Sequence, residues 1–74
     1  MKLNDMKLVR PLIKKGYGKV VFSLDGEFVY KNFEEIIKAI SDSIMTDDQK
    51  GDLIDYLRDV NNSYIAMLEE ENVL

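Results

Sequence analysis

Asp48, Asp52, Asp55 and Asp59 stand at i, i+4, i+7 and i+11. If residues 47–71 are helical, that spacing puts all four carboxylates on one face. Like charges four residues apart disfavour a helix by a few tenths of a kcal/mol, and aspartate is itself a weak helix former. Solubility alone would be better served by Glu and Lys. The stripe therefore reads as a docking face for a basic partner, for instance one that competes with nucleic acid for another protein's binding groove. A solvated outer face is the plainer reading of the same pattern. A divalent cation could bridge two of the carboxylates, but side chains from one helix supply too few converging oxygens for a calcium site, so no metal is expected.

The basic counterpart is Lys14-Lys15-Gly16-Tyr17-Gly18-Lys19. The amides of a glycine-rich loop, with Lys14, Lys15, Lys19 and an aromatic ring, could hold a phosphate or stack a base. No Gly-Lys-Ser/Thr follows to complete a P-loop. The plain alternative is a connection with lysines at a helix end. A sequence pI of about 4.6 argues against nucleic acid as a partner, because nucleic-acid binders carry a net basic domain.

Enzyme chemistry finds little to work with. The chain has no histidine and no cysteine, which removes the usual general base, the thiol nucleophile and the common zinc, iron–sulfur and haem ligands. Carboxylate-only catalysis needs a substrate cleft, and 74 residues can hardly wall one off. A non-enzyme without cofactor is expected. No signal peptide is visible, since Lys2, Asp5, Lys7 and Arg10 interrupt any apolar run near the start. The expected location is the cytoplasm, with no membrane segment.

Net charge hides a polarity. Residues 1–31 carry seven Lys/Arg against three acids, and residues 32–74 carry three against eleven, giving −4 in all. Such a dipole bears on association and partner choice rather than on fold. A domain this small usually needs a disulfide, a metal or a partner subunit, and with the first two excluded a homodimer is the expected state.

The elements that must position these residues divide the chain as follows. Residues 19–31 are rich in β-branched and aromatic side chains and punctuated by Asp25-Gly26, which predicts an antiparallel β-hairpin. A three-residue loop, Leu24-Asp25-Gly26, segregates the faces better than a two-residue turn, pairing Phe22 with Phe28 and Val20 with Tyr30. A helix is expected over residues 33–45, capped by Asn32 with Glu35 in the reciprocal position. Phe33, Ile36, Ile37, Ile40 and Ile44 would form its buried stripe. A second helix over residues 47–71 opens at Thr46, with Gln49 completing a capping box.

Leu53, Leu57, Val60, Tyr64 and Met67 then recur in steps of four and three, a heptad-like seam assigned to the dimer. Asn61-Asn62-Ser63 is the natural breakpoint, although the apolar seam crosses it in phase. Residues 1–18 read either as a short helix capped by Asn4 and ending at Lys14-Lys15-Gly16, or as an edge strand that tolerates Pro11.

The expected fold class is α+β: one domain over residues 1–74 with an antiparallel hairpin, three strands if residues 6–13 join it, packed against two C-terminal helices. The function that fits is a small acidic protein-interaction module that binds and regulates or inhibits another protein. The alternatives are a nucleic-acid-associated regulator using the Lys14–Lys19 loop and a self-assembling structural subunit. Short length, an Asp/Asn/Lys/Ile-rich composition and the lack of any enzyme motif resemble the style of small phage or mobile-element proteins, which implies an inhibitor of a host protein.

Overall fold

Asp5 opens the first helix. In the computed structural model, which describes residues 5–71, its Oδ1 accepts the backbone N–H of Lys7 at 2.9 Å and caps α1, Met6–Lys14. The expected cap, Asn4, lies outside the described residues. Pro11 sits inside α1. Its missing N–H removes only the partner of the Lys7 carbonyl, and both residues are exposed, so water can satisfy that oxygen. Val9 and Ile13, one turn apart, are fully buried. The helix ends in a Schellman motif. Gly16 takes a left-handed φ of 92°, its N–H donates to Ile13 O at 3.0 Å, and Tyr17 N–H donates to Leu12 O at 3.0 Å. Of the two readings, helix or edge strand, the helix forms over Met6–Lys14.

The β-hairpin does not form, and the α+β assignment is corrected to an all-helical fold with no strand among the described residues. Gly18–Ser23 is a 3-10 helix, and Asp25 starts a helix instead of turning a chain. Its Oδ1 accepts Phe28 N–H at 2.8 Å and its carbonyl accepts Val29 N–H at 3.0 Å, which launches α2, Gly26–Lys31. Asp-Gly serves equally well as a hairpin turn and as an N-cap followed by the first helical residue. The burial pattern decides between them. Val20 and Val21 are both buried, as are Phe28 and Val29. Adjacent residues of a strand point to opposite faces, whereas a helix can turn such pairs toward one core.

α3, Phe33–Ser41, follows after Asn32 alone. The Asn32–Glu35 capping box is absent. Asn32 Nδ2 reaches back to Phe28 O at 3.0 Å, closing α2 instead of opening α3. Glu35 meets Arg10 of α1 at 3.3 Å, an exposed pair of small energetic weight. Ile36 and Ile40 are fully buried, but α3 stops at Ser41 and Ile44 is 79% exposed, so the predicted stripe loses its last member. Ser43 makes the turn. Its hydroxyl donates to Ile40 O at 2.6 Å and accepts Met45 N–H at 3.3 Å.

The capping box at Thr46 is present in both directions, with Gln49 N–H to Thr46 Oγ1 at 3.2 Å and Thr46 N–H to Gln49 Oε1 at 3.1 Å. It starts α4, Asp47–Glu70, which runs unbroken through Asn61-Asn62-Ser63. Twenty-four residues make a rod of about 36 Å. The molecule's longest dimension is 39 Å, so α4 is its spine. α2, α3 and the 3-10 helix pack on that spine, and α1 packs on α3 and the 3-10 helix. Among the described residues no helix is long and apolar enough to cross a membrane.

Candidate functional site

Once α4 has formed, its spacing places the acidic stripe without further help. Asp48, Asp52, Asp55 and Asp59 are all exposed, along about 16 Å of helix. The two ion pairs among the described residues are Arg10–Glu35 and Glu27–Lys31, so no cation of the chain pairs with the stripe there. Nor do three carboxylates converge as a metal would require. On α2, Lys31 is held above its ordinary value by its hydrogen bond to Glu27 at 2.7 Å, reinforced by that carboxylate's charge.

The opposite face of α4 carries the seam assigned to the dimer, and the structure turns most of it inward. Leu57 is fully buried and Leu53 is 6% exposed. Val60 packs against the same core, and Tyr64 stacks obliquely on Tyr30 with ring centroids 5.3 Å apart. Gly26 of α2 comes so close that a Cβ there would sit 3.3 Å from the Tyr64 ring. Val60 and Tyr64 are half-buried, and Met67 is 41% exposed. The heptad-like spacing is thus used within the chain, to seat α2, α3 and the 3-10 helix. Leu57 has no face left to offer a second copy.

The Lys14–Lys19 segment becomes the Schellman turn and the start of the 3-10 helix, with Lys14, Lys15 and Lys19 exposed. Its backbone amides are not free to cradle a phosphate as a set. Those of Gly16, Tyr17 and Gly18 donate to Ile13 O, Leu12 O and Gly16 O.

Folding brings this basic segment beside the acidic helix, a juxtaposition that no spacing in the sequence announces. A groove of about 430 Å³ opens between Gly16–Phe22 and the start of α4. Tyr17, Lys19 and Phe22 line one wall, and Met45, Asp52 and Leu53 the other. Gly18 closes the floor, where a Cβ would lie 3.0 Å from Leu53 Cδ1 and 3.1 Å from Met45 Sδ. Tyr17 is 61% exposed and Phe22 56%. Phe22 is held edge-on to Tyr56 of α4 at a centroid distance of 4.7 Å. Ile44 flanks the groove beside Gly16, and its backbone N–H donates to Lys14 O at 3.3 Å.

Four of these residues carry a signal in the sequence: Tyr17 stands between glycines, Lys19 belongs to the basic segment, Asp52 to the acidic stripe and Leu53 to the heptad-like seam. Phe22 reads as part of a strand that does not form, and Ile44 as the last member of a buried stripe that ends at Ile40, so their exposure is hidden from the sequence. Compared with known protein families, curated proteins and solved structures, the chain matches none.

Proposed function

We propose that this protein is a small non-enzymatic interaction module that binds another protein through the acidic face of α4 and so regulates or inhibits it. One observation carries the reading. Asp48, Asp52, Asp55 and Asp59 are exposed in a row, and neither ion pair among the described residues involves them. Asp52, Asp55 and Asp59, beyond the first turn of α4, cost helix stability and repel one another, so the row makes sense as a surface for cationic groups of a partner. Electrostatic complementarity of this kind chiefly sets encounter rate and specificity.

The test is a charge reversal at the far end of the row. Immobilised protein is offered lysate treated with nuclease, and specifically retained proteins are compared between the wild type and Asp55→Lys/Asp59→Lys. One dominant protein, retained by the wild type and lost in the variant while far-UV circular dichroism is unchanged, supports the reading. Equal retention by a folded variant overturns it.

A further inference from the structure

The groove beside Gly18 carries charge of both signs. Lys19 stands on one wall with Lys14 and Lys15 behind it in the chain, and Asp52 on the other with Asp48 one helical turn away. A partner of single sign would be attracted to one wall and repelled by the other. The surface that matches such a patch is the same patch turned about a two-fold axis lying in the contact plane along the groove. In that arrangement each basic wall meets an acidic wall, twice over.

On the Lys19 wall itself lie the groove's apolar exposed groups, Tyr17 and Phe22, with Ile44 beside Gly16, 79% exposed. Aromatic side chains ringed by charge are the usual composition of a protein–protein contact. The floor is packed backbone against side chain at Gly18, so the surface is preformed. A chain of 74 residues without cysteine is also of the size that gains from sharing apolar surface with a second subunit.

We infer that this groove is the contact face of a symmetric homodimer, in which Lys19 of each copy faces Asp52 of the other and the Tyr17 and Phe22 rings are covered between them. The contact is isologous, so it closes at two copies. It does not rest on the hetero-partner reading, because Asp55 and Asp59 lie further along α4 and outside the groove.

Sedimentation equilibrium over a range of concentrations tests it through a charge swap. The wild type is expected at twice the chain mass of 8.6 kDa. Lys19→Glu and Asp52→Lys, each alone, set like charges together twice per dimer and should weaken association by about tenfold or more. In an equimolar mixture of the two variants, the introduced glutamate of one copy faces the introduced lysine of the other, and the unaltered Lys19 and Asp52 face each other at the second contact. The mixture should therefore recover dimer mass, as should the double variant. Unchanged circular dichroism excludes loss of fold. Asp55→Lys/Asp59→Lys should leave the mass unchanged, which separates this contact from capture of another protein. A monomeric wild type, single variants that associate like the wild type, or a mixture that stays monomeric would each overturn the inference.

Discussion

Asp25 shows how much one side chain can decide. Its carboxylate holds the Phe28 N–H at 2.8 Å, and the following six residues become α2. Were it a hairpin turn residue, replacing it would chiefly disturb strand register. As an N-cap it can be tested by its energetics. Asp25→Ala should cost about 1 kcal/mol of unfolding free energy, read from urea denaturation, while Asp25→Asn or Asp25→Ser should retain most of it. Ile44 teaches the converse. It continues the 36–40 spacing in the sequence, yet α3 has already closed at Ser41 and the Ser43 turn points Ile44 to solvent. Periodicity marks which residues would share a face if the helix continued, but not where it stops.

At the scale of elements, α4 was the most legible. Its start is written in Thr46 and Gln49, and both reciprocal hydrogen bonds form. Its middle was ambiguous because Asn61-Asn62-Ser63 prefer caps to helix interiors. The helix stays continuous there because Val60 and Tyr64, on either side, are both anchored in packing. Asn62 and Ser63 are exposed. In an unbroken helix, Asn62→Ala and Ser63→Ala should each raise stability by about half a kcal/mol. At a break, where either side chain would be a cap, the same changes should lower it by about 1 kcal/mol. The sign of the shift in thermal midpoint distinguishes the two.

Across the whole molecule, the charge polarity seen in the sequence takes a shape. The basic segment that ends at Lys31 and the acidic α4 do not sit at opposite poles. They meet along the groove that has Lys19 on one side and Asp52 on the other. If copies associate there, folding and association are coupled, and mass action makes stability depend on concentration. The unfolding temperature of the wild type should rise by several degrees over about a hundredfold increase in protein concentration, whereas Lys19→Glu should show a smaller rise that begins at higher concentration. Differential scanning calorimetry at matched ionic strength reads this directly, and added salt should reduce the wild-type slope because surface charge is screened.

By itself the sequence determined what depends on neighbours within a turn or two. Among these were the cap and phase of α4, the glycine-terminated end of α1, the acidic row, and the lack of thiol and imidazole chemistry. Tertiary structure decided what depends on a partner surface. Residues 19–31 have the composition of strands, but their buried pairs Val20-Val21 and Phe28-Val29 need a single core on one side, and only helical turns present adjacent residues to it. The Leu53–Met67 seam looked like a surface for a second chain. It became largely the inner face of this one, because α2, α3 and the 3-10 helix had apolar faces of their own to bury and the seam was the nearest surface to receive them.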